Sequence, residues 1–436
     1  MRVPHGRHAF RFADLRDVLR GSVMARRAAR GALVAVLLST APGGSAAATP
    51  LALDEVLARA RAASPALRAA AAELDAARGR LRQARLVQTN PVLSADLARH
   101  TEPGLRDAKD RGVQLEQEIE VGGQRGLRIA AAEHDVTHAE HLLADRRRTV
   151  EGEVRRAFFA LAAAERRQKL AAERLALASR LAEAARRRTR AGETGALDAR
   201  LAEVETARAA QEKTAAEAEH ARAEGRLALA MGAEPGEPLS VSVEDLALAP
   251  SPAEDELVAR ALEARPDLAA AREERARLEG EARLTARRGR IPNPILRGFY
   301  REERLQEHVA GGGLSVPLPL FNREQGTEAS LLAQARGAAA EEARLRAQIP
   351  RDVHLALAHR RTAEEAWRRY EREALPAATQ ARDLLERGFD AGYLALPDLL
   401  LQQDRLLQVR AGAIDAWLDL HVAEADLVEA MGGVAP

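Results

Sequence analysis

The sequence predicts a mainly α-helical chain with a small β part, in which long antiparallel coiled-coil hairpins join four membrane-type strands. Three observations carry this. Ala, Arg, Glu and Leu dominate the 436 residues and aromatics make up 3%, a composition for thin helix-on-helix seams rather than a thick globular core. One module is used twice, shifted by about 200 residues. Finally, the stretch His308 to Gly326, HVAGGGLSVPLPLFNREQG, runs from a thin strand straight into a helix. There Leu314, Val316 and Leu318 alternate with Gly313, Ser315 and Pro317, so one face is apolar. Pro317 and Pro319 cannot donate to a ladder, so pairing should fade at them. Asn322 is a candidate N-cap, with Glu324 and Glu328 in the first turns, where the helix dipole favours acid.

In chain order, Met24 to Arg30 reads as a basic n-region and Ala32 to Leu38 as a short apolar h-region. Ser45-Ala46-Ala47-Ala48 follows with small-residue cleavage sites. Residues 1–48 are therefore expected to be a secretory signal peptide, with Met24 as an alternative start. The apolar run is too short to span a membrane. Residues 1–48 hold eight Arg and two Asp, so without them 66 basic and 65 acidic residues become 58 and 63, and the net charge falls from +1 to −5. The two signs are finely mixed with no basic, aromatic-studded stripe, which excludes a nucleic-acid partner. The absence of cysteine excludes disulfides, thiolate metal sites and a lipidated N-terminal Cys. No later segment holds about 18 consecutive apolar residues, so a membrane-embedded mature chain would have to be a β-barrel.

The repeat shows at separated landmarks. Ser64-Pro65-Ala66-Leu67 answers Arg265-Pro266-Asp267-Leu268, and Asn90-Pro91 answers Asn293-Pro294. Ala191-Gly192 answers Ala391-Gly392, and Met231-Gly232 answers Met431-Gly432. The first repeat is assigned to 49–232 and the second to 255–432, joined by a Pro-, Glu- and Ser-rich linker, 233–254. Each copy begins with a helix, Asp54 to Val87 or Glu254 to Arg290. Strand pairs follow at 92–98 and 112–121, with Glu102-Pro103-Gly104 between them, and at 295–302 and 309–318. A helix of roughly 60 residues then ends near Arg190 or Arg387; at about 1.5 Å per residue it approaches 90–100 Å. A tight turn and a return helix to Met231 or Met431 complete the copy.

In the last helix Leu399, Leu406, Ala413, Leu420 and Leu427 stand seven apart, beside Leu400, Leu407, Ile414 and Val428, interrupted by His421. This heptad alone would fit a soluble coiled coil. The strands argue otherwise. Val113, Leu115, Gln117, Ile119 and Val121 alternate with Gln114, Glu116, Glu118 and Glu120, an apolar face backed by an acidic one, as in a wall between lipid and a wet lumen. Two hairpins cannot close a barrel alone, so several chains would have to share one.

On these residues the chain resembles the TolC-like outer-membrane efflux proteins, and within them the branch serving cobalt–zinc–cadmium type heavy-metal exporters. The matching pieces are Asn90-Pro91, Glu120 to Gly126, Arg290 to Pro294, and Val316 to Gly326 with its Pro-Leu-Phe-Asn-Arg core. The resemblance spans roughly Leu51 to Gly432 and implies a homotrimer in the outer membrane of a Gram-negative cell. Three chains would share a twelve-stranded barrel in outer-membrane lipid, above a periplasmic α-barrel whose tips meet an adaptor (membrane fusion protein) and an inner-membrane RND-type pump. It makes Arg190, Gly192, Glu193, Asp390, Gly392 and Tyr393 adaptor contacts. Asp198 and Asp398, six residues past the turn glycines, become a gate and cation-attracting constriction. The family's further acid one turn on is Leu401 here, and Asp404, another turn on, is its substitute.

Two clusters are weighed as sites. His134, His138 and His141 share a helix face; they are candidate ligands for a transient Zn²⁺ or Co²⁺, or one polar face among Glu133, Asp135, Glu140 and Asp145. Glu116, Glu118 and Glu120 are lumen acids rather than catalysts, because no nucleophile, phosphate loop or pocket accompanies them. No cofactor is expected. The favoured function is passive efflux of divalent heavy-metal cations. The competitors are a duct for drugs or organic solutes, a soluble periplasmic adaptor or scaffold, and an enzyme.

Overall fold

The computed structural model describes residues 50–99, 109–193, 195–234, 236–243, 253–303, 307–391 and 393–433. The expected signal peptide, the Glu102-Pro103-Gly104 loop and Gly392 lie outside them. The elements are α1 (Leu53–Ala63), α2 (Pro65–Arg85), β1 (Val92–Arg99), β2 (Lys109–Glu118), α3 (Gln124–Arg190) and α4 (Ala196–Met231). They continue as α5 (Glu254–Ala264), α6 (Pro266–Arg290), β3 (Ile295–Glu303), β4 (Glu307–Ser315), α7 (Gln325–Arg369), a π-helical turn (Tyr370–Ala374), α8 (Leu375–Asp390) and α9 (Leu396–Ala430). The two halves thus follow one order of elements.

Proline accounts for most departures from the expected elements. Each leading helix is two helices, divided where Pro65 and Pro266 open α2 and α6 at a position that needs no N–H. Gly232 and Gly432, both at positive φ, sit against these breaks; a Cβ on Gly232 would stand 2.9 Å from the Ala63 carbonyl oxygen. The second long helix is interrupted while α3 runs unbroken for 67 residues, about 100 Å. Pro376 cannot bond back into the turn before it, and the π-helical turn Tyr370–Ala374 stands there instead. A Cβ on Gly412 of α9 would come within 2.6 Å of the Tyr370 hydroxyl, so that glycine admits the ring. β4 ends at Ser315, before Pro317, and α7 starts at Gln325 rather than beside Asn322, whose Oδ1 instead accepts from the Glu324 N–H at 3.0 Å. The segment expected as a linker is partly built into the fold: Leu51 bridges Val241, and Leu239 and Val241 are buried.

The core is a string of seams. Val56, Leu57, Phe158, Phe159, Leu161 and Leu227 centre one cluster, and Ile349, Val353, Leu357 and Leu427 centre another. Between α3 and α9 the seam is laced with ion pairs: Arg156 to Asp426 at 2.8 Å, Glu173 to Arg410 at 2.7 Å, Arg174 to Asp404 at 3.0 Å. Among the described residues no helix is long and apolar enough to cross a membrane.

His421, the break in the heptad, is buried with its ring stacked on Phe159, 4.3 Å between centroids, and edge-on to Trp417. The Arg166 guanidinium lies over Trp417 at 3.5 Å. Burial, aided by Arg166, pushes the imidazole down to about 4, from a usual value near 6.5. The folded state therefore binds fewer protons than the unfolded one, so His421 takes nothing from stability above pH ~6.5 and destabilises progressively as pH falls towards ~4, by up to about 3 kcal/mol. His421→Phe is expected to flatten that part of a melting-temperature profile between pH 7 and 4; an unchanged slope would show that His421 does not carry it.

Candidate functional site

The four strands form one antiparallel sheet, β1-β2-β3-β4, and among the described residues no strand pairs with either outer edge. Register sorts the side chains. Leu93 stands across from Leu115 and Ala95 from Val113; Val113 faces Tyr300, and Leu296 faces Leu314. These share one face, and it is open: Leu93 is 74% exposed and Leu97 75%. A one-residue slip would scatter this set over both faces, so the apolar face fixes the register. The opposite face carries Ser94, Asp96, Gln114, Glu116, Arg297, Phe299 and Arg301. There Arg297 pairs with Glu116 at 3.6 Å, and Arg301 stacks on Phe299 at 5.2 Å. Gly311 leaves room for that ring, since a Cβ would approach it to 2.5 Å. An exposed apolar face backed by a polar one is the pattern suited to a wall between lipid and a wet lumen.

Of the three candidate lumen acids, Glu116 alone stands in the middle of this polar face. Glu118 accepts from Thr89 at 3.0 Å and from Asn293 at 2.7 Å, tying together the segments that lead into β1 and β3. Glu120 lies beyond β2 and binds Arg128, whose guanidinium holds its carboxyl below the usual range against the opposing effect of burial. Arg128 also donates to the Ala84 carbonyl at 3.1 Å, locking α3 to the end of α2. Both strand–helix junctions share one device. Gln124 and Gln325, the first residues of α3 and α7, each accept from a backbone N–H two residues back, Gly122 and Arg323, both at 2.7 Å.

At the far end the hairpins turn by one geometry. Ala191 and Ala391 donate to Arg187 and Arg387, and Glu193 and Tyr393 donate to Arg188 and Gly388, with Gly192 at φ +77°. Arg190, Glu193 and Tyr393 are exposed, Tyr393 at 88%; Asp390 closes α8. Beneath the turns Leu181, Ala185, Ala202, Phe389, Leu396 and Leu399 form a small apolar cluster that joins the two hairpins. Asp198 and Asp398 each stand in the first turn of a return helix, α4 and α9, where an acid also complements the helix dipole.

Asp404 stands partly buried on α9. It binds Arg174, whose guanidinium also reaches Glu205 at 2.7 Å and Glu212 on α4. Burial works against that charge, and the three carboxylates keep it on. The arginine thus ties α3, α4 and α9 together just above the tip. Sequence reasoning named Asp404 but missed Arg174, and no local signal marks it: its partner stands 230 residues away.

The three histidines are not brought to a common point. His134 Nδ1 meets Glu273 at 2.7 Å and His138 Nδ1 meets the Ala270 carbonyl at 2.9 Å, so both serve the α3–α6 contact. Among the described residues no three His, Cys, Asp or Glu are grouped to hold a metal ion.

A two-faced strand sheet set on long helices, α3 alone about 100 Å, is the architecture of a channel protomer, and comparison with known proteins agrees. The model of the family "Outer membrane efflux protein" matches residues 56–233 and 257–433, so the chain belongs to the outer membrane efflux protein family. It is 32% identical over 365 residues, 84% of this chain and 86% of the other, to the cobalt-zinc-cadmium resistance protein CzcC of Cupriavidus metallidurans. Its fold is similar to that of the Campylobacter jejuni CmeC outer membrane channel (TM-score 0.74, 16% identity, 87% of this chain and 85% of that one). It is also similar to CusC, whose structures concern transmembrane channel formation (TM-score 0.73, 16% identity, 88% and 92%). Family and fold are those of channels rather than enzymes.

Proposed function

We propose that three copies of this chain close a twelve-stranded barrel in the outer membrane and form the exit duct of a tripartite efflux system for divalent heavy-metal cations. The observation that carries the duct is the four-stranded sheet, apolar on one face, polar on the other and unpaired at both edges. Such edges invite pairing, and a barrel is the arrangement that removes them in lipid. Asp198 and Asp398, repeated three-fold, would ring the narrow end and attract cations, and the exposed Arg190, Glu193 and Tyr393 would meet a periplasmic adaptor coupled to an inner-membrane RND-type pump. The energy comes from that pump; this chain supplies passage.

The cargo reading rests on the likeness to the cobalt-zinc-cadmium resistance protein. It is tested by deleting the gene and measuring growth in graded Zn²⁺, Co²⁺ and Cd²⁺, and in a panel of organic toxicants. Loss of metal tolerance alone, restored by the intact gene, is the expected result. Loss confined to organic toxicants would assign the duct to a different cargo.

A further inference from the structure

Charges are finely mixed along most of this chain, but not where the helices meet the sheet. The stretches 76–95, 121–132 and 282–301 cover the end of α2, the start of α3 and the end of α6, with the adjoining links to the sheet. They hold twelve arginines and no acid. Further from the sheet the arginines find carboxylates: Arg272 holds Glu342 at 3.4 Å and Arg275 holds Glu279 at 2.9 Å. At the junction Arg82, Arg125, Arg287, Arg288, Arg290 and Arg323 are all exposed, and among the described residues none of them forms an ion pair. A helix C-terminus favours cations, which accounts for basic residues in the last turn of α6. It accounts neither for the missing acids nor for Arg323. A Cβ on Gly289 would stand 1.9 Å from the Arg323 carbonyl oxygen, so this glycine lets the segment before α7 cross the last turn of α6. Like charges from two segments are thereby brought to one place.

A cavity of about 400 Å³ opens between α2, α3 and α6 at this level. Arg80, Arg128, Arg277 and Arg288 line it, against Asp135 and Glu281. Asp135 holds Arg80 at 2.6 Å, Glu281 holds Arg277 at 2.7 Å, and Arg128 binds Glu120. Arg288 is left over. The side-chain amides of Gln83 and Gln88, on the same wall, make no hydrogen bond among the described residues. Donors without acceptors around a cationic cavity suit an oxyanion such as a phosphate group. Exposed apolar groups stand at the same junction, Leu86 and Val87 after α2, Ile119 and Val121 after β2. Ile119 and Val121 continue the alternation of the apolar face of β2.

We infer that this junction binds an anionic phospholipid, with Arg288, Gln83 and Gln88 as donors to its phosphate and the unpaired arginines of α2 and α6 facing the surrounding headgroups. The inference rests on the duct reading, since it needs the apolar face of the sheet in lipid. A lipid fits better than a free phosphate ion because the cationic belt borders an exposed apolar one. In that arrangement arginine stems lie along apolar surface while the guanidinium groups reach the headgroups. Such a belt fixes the depth of the sheet in the bilayer. Aromatic girdles usually do this, and the four strands carry only Phe299 and Tyr300.

The test uses the full chain, purified from the outer membrane in mild detergent and checked for the trimer on an unheated gel. Retention of phosphatidylglycerol and of phosphatidylcholine, added in mixed micelles, is compared by native mass spectrometry. The wild type should retain phosphatidylglycerol at least about tenfold more strongly, a difference of about 1.4 kcal/mol. Arg287→Gln, Arg288→Gln and Arg290→Gln combined should abolish that preference. Arg180→Gln, Arg361→Gln and Arg369→Gln combined remove the same charge from exposed arginines deep in α3 and α7, and should leave it intact. A large excess of inorganic phosphate should not displace the lipid. Displacement would assign the cavity to the free ion. Equal retention of the two lipids, an unchanged preference in the first triple variant, or equal loss in both triple variants would also overturn the inference. With the trimer present, each of these results leaves the duct reading standing. A wild type absent from the outer-membrane fraction overturns both.

Discussion

Arg174→Met is expected to loosen the hairpin tip and, if the chain forms the proposed duct, to make the outer membrane leaky. The guanidinium holds Glu205, Glu212 and Asp404 from two other helices, and its side chain is 12% exposed. Without it three carboxylates face one another across the seam. Removing one partner of a fully buried pair costs roughly 3–5 kcal/mol. These acids are partly wet, so about 2 kcal/mol is the appropriate scale after screening. That shifts a closed-to-open ratio roughly thirty-fold. Entry of a bulky solute normally excluded by the outer membrane should rise accordingly. Arg174→Lys, which keeps the charge without the planar fork, should fall between. An Arg174→Met channel as tight as the wild type would show that the tether does not hold the tip.

The second large effect is expected at the sheet. Leu115 lies mid-strand on the open apolar face, across from Leu93. If that face meets lipid, Leu115→Arg places a charge near mid-bilayer at roughly 2–4 kcal/mol per copy, felt by each copy in the assembly. The variant should be lost from the outer-membrane fraction. Gln114→Arg, one residue away on the polar face, should assemble normally. Equal tolerance of both would mean that the face is not against lipid.

Much of the architecture could be read without coordinates because it depends on local pattern. The two-residue alternation at Val113 and Leu115, the heptad through Leu399 to Leu427 and the turn glycine Gly192 each state their conformation within a few residues. Proline was legible in part. Pro317 was expected to weaken pairing, and β4 does end just before it. Pro65, Pro266 and Pro376 also break helices that a periodicity reading runs together. What sequence could not show were contacts between distant segments. The Val241 bridge to Leu51, the role of Arg174, and the engagement of Glu118 and Glu120 at the junction all depend on partners brought close only by the fold. The histidine face shows the same limit: helical spacing says that three rings share a face, not that His134 meets Glu273 and His138 the Ala270 carbonyl through their Nδ1 atoms.

The role proposed for this chain is one third of an outer-membrane duct. Its most direct test is to fractionate membranes from cells carrying a tagged full-length chain, then run the outer-membrane fraction on a gel without heating. The account predicts a detergent-resistant trimer in that fraction that falls to the monomer on boiling. A soluble periplasmic monomer or dimer would contradict it and return the chain to a coiled-coil scaffold.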